Sequence, residues 1–349
     1  MTISVETFRN EFTEGALNFV WRQWCQMGVA GSVKRRDQWV IDPEPLLAFT
    51  TEVARYDARM FDETLDWLVT NGHWINAQRF STVMKQDNVG DRAVAGAIAS
   101  WMAERDKSMK WRGLAQRMAA DARKPDEPLF RTPTGKALAS SDQMDAHFHR
   151  YGFLRKNARA RGMTQPVNMK DPVNIMFKSR ALFGIGIRAD VMVYLMITEG
   201  AYPREVARTL GYNHMRVQEL LVDLADANVV SVRSVGRTKQ YRIDRDKWRS
   251  VLMGEQPFMP RWINWRALTR GLTAIWRTTW GIEKARADDY IFSSKMRSAM
   301  QAARNDLLGS GMDFVIEDDR GHIAEAYLPI FMRDARNILK VLAGFNKQS

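Results

Sequence analysis

The segment from Glu205 to Val230, EVARTLGYNHMRVQELLVDLADANVV, constrains the fold more than any other stretch of the chain. Val206 and Leu210 give a short helix one apolar face, and Ala207 leaves room for a neighbouring helix to come close. Gly211 suits a left-handed turn between two helices. Asn213 is a residue type that caps a helix by accepting a backbone N–H. Beyond it Val217, Leu220, Leu221 and Leu224 recur at the helical period and form an inward stripe. Two helices joined by a tight turn are therefore predicted. His214, Arg216, Gln218 and Glu219 are left mostly outward over the first two turns of the second helix.

A different periodicity follows at once. In VSVRSVGRTKQYRID, Val230 and Val232, then Tyr241 and Ile243, flank a polar centre containing Gly236. Spacing by two on either side of a glycine-bearing turn predicts a β-hairpin, with Arg237 and Lys239 near its tip. Upstream, a helix through Val191, Leu195 and Met196 ends at Gly200. The predicted order is helix, helix, turn, helix, two-stranded hairpin. The helical pair alone is equally what an ordinary solvated helical hairpin would show. The ribbon beside it adds charge: from Arg233 to Arg249 there are seven cations and two acids.

Charge also divides the chain. Its 52 Lys and Arg against 40 Asp and Glu leave a net +12. Residues 1–130 hold 17 cations and 18 acids, residues 131–173 hold 8 and 3, residues 174–257 hold 13 and 9, and residues 258–349 hold 14 and 10. The excess thus lies beyond residue 130, which suits a polyanion partner for the middle and C-terminal parts. Four regions are expected: a helical N-terminal domain at 1–130, a basic linker region at 131–173, the hairpin-bearing domain at 174–257 and a helical C-terminal region at 258–349. Residues 121–134 and the segment MGEQPFMPRW carry the Pro and charge content of linkers.

The ordered combination carries a family resemblance. GYNHMRVQELLVDLADANVV is similar to the recognition helix of winged helix-turn-helix regulators of the ArsR/MarR type, and GRTKQYRID resembles their second wing strand. Upstream, ALFGIGIRADVMVYL is similar to the first helix of winged-helix proteins often associated with nucleotidyltransferases. The resemblance covers about residues 180–248, and Asn228 stands where glycine is more usual. It implies a mainly α protein in which a winged helix-turn-helix domain, three helices plus a β-hairpin wing, is flanked by α-helical N- and C-terminal regions. It also implies sequence-specific binding of double-stranded DNA by a bacterial transcriptional regulator. Asn213, His214, Arg216 and Gln218 would then face the major groove, since Arg and Gln suit guanine and adenine. Arg233, Arg237, Lys239 and Arg242 would hold phosphates or the minor groove, and Arg204 is a further phosphate candidate.

Other features have plainer explanations. The five cations from Arg150 to Arg161 suit a solvated linker or helix face, and Trp262, Trp265, Trp276 and Trp280 are spaced for a helix core or a dimer seam. His147 and His149 have no nearby cysteine, Gly184-Ile185-Gly186 reads as a turn, and Asp318-Asp319 as a hairpin turn. No nucleophile–base pair or paired carboxylates form a recognisable motif, so no enzyme activity, cofactor or metal is expected. The single Cys25 and the acid-bearing start suit a cytoplasmic location, and no apolar run approaches a membrane span. A homodimer on a two-fold-related site is expected, with contacts from the flanking helical regions. The N-terminal domain could hold a protein partner. An antitoxin or adaptor that autoregulates, and a replication initiator, remain alternative readings.

Overall fold

Local signals in the N-terminal region resolve into helices whose ends are chemically marked. Asp57 accepts the Met60 N–H and starts α3 (Ala58–Asn71), which stops at Gly72. Asn76 accepts from Arg79 to start α4 (Ala77–Asp87), and Asp91 accepts from Ala93 and Val94 to start α5 (Arg92–Met102). Around these lie α1 (Val5–Gln26), α2 (Pro43–Val53) and α6 (Met109–Arg117). The computed structural model describes residues 5–31, 37–124, 126–138, 144–255, 258–281, 289–317 and 324–344. The protein is mainly helical, and among the described residues there is a small two-stranded antiparallel sheet and a two-residue parallel pair.

The C-terminal helices do not stand apart from the N-terminal ones. α13 (Trp265–Gly281), α14 (Asp289–Leu308) and α15 (Leu328–Leu342) bury Leu268, Met300, Phe331 and Ile338 in the same apolar cluster as Phe12, Phe49, Trp67 and Ile98. Phe331, Ala335, Ile338 and Leu342, one face of α15 in the sequence, are all buried. Trp265 and Trp276 are core residues as well, and Trp280 lies tilted against Tyr56 with ring centroids 4.1 Å apart. A charge-based division of the chain misses this, because charge records the solvent face and not the apolar face that joins the two ends. We call this joint helical core the body.

The described residues of 121–134, linker-like in composition, are stitched to the body. Glu127–Pro128 (β1) pairs in parallel with Phe153–Leu154 (β2), and the Leu129 carbonyl accepts from the Arg55 guanidinium at 3.0 Å. Within the basic stretch, Arg155 is buried against Phe61, Phe130 and Phe148 and pairs with Asp62 at 2.8 Å. Arg150, Lys156, Arg159 and Arg161 stay exposed, Arg161 pairing with Glu63. A short helix, α7 (Ala146–His149), precedes β2. Asp318 and Asp319 lie outside the described residues.

A second apolar cluster holds the remaining elements. These are α8 (Ile175–Phe183), α9 (Ile187–Ile197), α10 (Pro203–Leu210), α11 (His214–Asp226), the strands β3 (Val230–Val235) and β4 (Thr238–Ile243), and α12 (Arg245–Leu252). Val191, Leu195, Val206, Leu210, Val217, Leu221, Val230 and Tyr241 are all buried there. The left-handed Asn228 (φ 55°) ends the turn after α11, a conformation Asn tolerates better than most side chains. No helix of the described residues is long and apolar enough to cross a membrane.

Candidate nucleic-acid interface

α10 starts with Pro203, whose missing N–H costs nothing at a helix start. It buries Val206, Ala207 and Leu210 and leaves Arg204 and Arg208 exposed one turn apart. The Ala207 carbonyl accepts the N–H groups of both Gly211 and Tyr212, at 2.9 and 3.0 Å, closing the helix in a left-handed cap with Gly211 at φ 78°. Asn213 then caps α11: its Oδ1 accepts from Met215 N at 2.9 Å and Arg216 N at 3.3 Å. An alanine Cβ at Gly211 would sit 3.0 Å from the Arg266 guanidinium in a left-handed conformation. Gly211→Ala is expected to cost about 1–2 kcal/mol, read in chemical denaturation.

The exposed face of α11 is not uniform. Its start carries Met215 and Arg216, with Gln218 exposed one turn on and His214 half-buried. Met215 is 58% exposed, an apolar side chain left facing solvent at the start of the helix. Further along, Glu219, Asp223 and Asp226 are all exposed. Exposed negative charge thus begins at Glu219, and the exposed cation of this helix, Arg216, lies in its first turn.

The hairpin pairs Val230 with Ile243 through Val235 with Thr238. Its loop is Gly236-Arg237, and Gly236 at φ 60° takes the first loop position, where a type II′ turn needs a positive φ. Strand alternation separates the four candidate cations. Val232, Tyr241 and, nearer the tip, Lys239 share one face, while Arg233 and Arg242 share the other. Arg242 lies against Gly200 at the base of the ribbon, with its Nε donating to Gln240 at 3.2 Å, and Arg237 is at the tip. All four are exposed. Ala201 and Tyr241 exchange N–H···O=C bonds of 3.0 and 2.9 Å, which tie the ribbon to the residue pair before α10. A single bridge leaves no periodicity, so no sequence pattern announces it.

Behind the turn lies a cluster of buried charges. Arg79 of α4 pairs with Asp42 and Glu44, and its Nε donates to the Leu210 carbonyl at 2.7 Å. Arg180 of α8 pairs with Glu44 at 2.7 Å and with Asp190 of α9 at 3.0 Å. Tyr212 donates its hydroxyl proton to Asp190 at 2.7 Å. Burial would push Glu44 up, but Arg180, Arg79 and the Asn76 N–H outweigh it and hold the carboxyl at about 2. Burial raises Asp42 despite the pull of Arg79, and burial, reinforced by Asp190, raises the Tyr212 phenol. Two cations thus face three carboxylates in a buried site, and the turn before α11 is pinned to the body through it. Arg266 of α13 adds a second tie, pairing with Asp87 and donating to the Arg208 carbonyl.

His147 hydrogen-bonds Ser100 at 3.0 Å, His149 meets Asp126 at 2.9 Å, and among the described residues no three His, Cys, Asp or Glu side chains group as metal ligands. Burial pushes the Cys25 thiol up to about 11, so it is protonated at neutral pH. Set beside protein-family models, curated proteins and solved structures, the chain matches none of them.

Proposed function

We propose that the α9–α11 helices and the β3–β4 ribbon form a winged helix-turn-helix that binds double-stranded DNA sequence-specifically, in the service of transcriptional regulation. The observation that carries this reading is the division of α11. Val217, Leu220, Leu221 and Leu224 are buried, while Asn213, Arg216 and Gln218 are exposed at the end where no carboxylate intervenes before Glu219. Residue types at the start of a recognition helix read base edges, and a ribbon with exposed cations supplies sequence-independent affinity. Arg204 and Arg208 on α10 add positive charge on a neighbouring helix. One such unit covers a short site, so the active species is a homodimer on a two-fold-related sequence.

The test is selection of bound fragments from random duplex DNA by the full chain. Wild type should enrich one sequence, and Arg216→Ala should relax preference at one base position at a cost of about 1–3 kcal/mol. A wild-type protein that enriches no sequence at moderate salt would sink the proposal.

A further inference from the structure

In front of the first turn of α11 runs an open groove of about 560 Å³ whose far wall belongs to the body. Gln78, Thr82 and Gln86 of α4 line it on one side, and Asn213 and Arg216 on the other. The three α4 residues are four apart, so they share one helix face about 12 Å long. None of them is charged, and the neighbouring exposed residue is Lys85. Asp87, the one acid in α4, is buried against Arg266 and Arg270. An anion that enters the groove toward Arg216 therefore meets no carboxylate on the α4 wall. The walls are also held in register, because Arg79 of α4 donates to the Leu210 carbonyl just before the turn.

We propose that this groove seats the sugar–phosphate backbone of the bound duplex, with α4 as a second DNA-contacting element beside α11. The inference rests on the DNA-binding reading above. Its support is continuity of the groove with the exposed start of α11, and the chemistry of its wall. Amide and hydroxyl side chains are common phosphate partners that fix register without reading sequence. The Gln86 side chain is already oriented: its Oε1 accepts from Arg266 at 3.2 Å, which leaves its amide N–H groups to donate. Contacts from α4 would make the footprint longer than α11 and the ribbon alone can cover.

The test uses the full chain and its own selected duplex. Gln78→Glu should weaken binding about tenfold by like-charge repulsion, and Thr82→Glu should act in the same direction. Gln78→Lys should strengthen binding and steepen the salt dependence by about one further counterion. Gln116→Glu, the same chemistry on an exposed face of α6 outside the groove, should change nothing. Folding is not at risk in Gln78→Glu, since an acid in the first turn suits the helix dipole; an unchanged thermal midpoint checks it. If Arg216→Ala relaxes the preference while both Gln78 variants bind as wild type does, the groove proposal is overturned and the DNA reading stands. If wild type binds no duplex, both fall.

Discussion

Glu44→Ala should cost about 3–5 kcal/mol of folding stability, a large share of the roughly 5–15 kcal/mol that holds a typical protein together. Glu44 is fully buried and accepts from Arg180 on both carboxylate oxygens, from Arg79, and from the Asn76 N–H. Its removal leaves two buried guanidinium groups short of a partner, and an uncompensated buried charge is expensive whatever the pair contributed when intact. A cycle with Arg180→Ala should be strongly non-additive, because the second deletion removes one of the stranded charges. Hydrogen exchange should speed up at Gly211 and Tyr212, whose turn the cluster pins. The pH response has a definite sign. The Glu44 contribution is fully present above its ordinary value of 4.5 and is lost as pH falls through about 2. Asp42, raised by burial, runs the other way: its contribution is present below 3.8 and fades as pH rises through its elevated value. A Glu44→Ala protein as stable as wild type would remove the cluster's role as a tie.

The parts of this chain that were legible in its sequence are those specified by neighbours in sequence. The Asn213 cap, the Gly211 turn, the α11 stripe and the glycine-centred hairpin each depend on residues within a few positions of one another, and each is present. Asp57 and Gly72 bound α3 for the same reason. What stayed hidden depends on distant partners. Arg79 and Arg180 read as ordinary helical arginines, yet each is fully buried because carboxylates up to 136 positions away converge on it. The joining of α13, α14 and α15 to the N-terminal helices is likewise a matter of which apolar faces meet. The four ribbon cations were identifiable as a group, but only strand register shows that Arg233 and Arg242 share one face while Lys239 takes the other. The α4 wall of the groove carries glutamines and a threonine, residue types with no pattern of their own.

That register makes the ribbon's contribution divisible. Replacing Arg233, Arg237 and Lys239 together by alanine should lower DNA affinity at low salt by on the order of a hundredfold and reduce the slope of log K against log salt by about three. Each lost phosphate contact removes roughly 0.9 of a released counterion, so the slope counts contacts independently of sequence. Arg242 lies at the base, against Gly200 and hydrogen-bonded to Gln240, so Arg242→Ala should flatten the slope by less than Arg237→Ala at the tip or Lys239→Ala beside it. Sequence preference should survive in the triple variant, because the start of α11 is untouched. The fold should survive too: the three side chains are exposed, and the ribbon is held by Val230, Tyr241 and Ile243 and by the Ala201 bridge. The measurement is a salt titration of binding to the selected duplex, wild type against each variant. An unchanged slope in the triple variant would mean that these three side chains do not touch the backbone, leaving Arg216 of α11 and Arg204 and Arg208 of α10 to supply the electrostatic affinity.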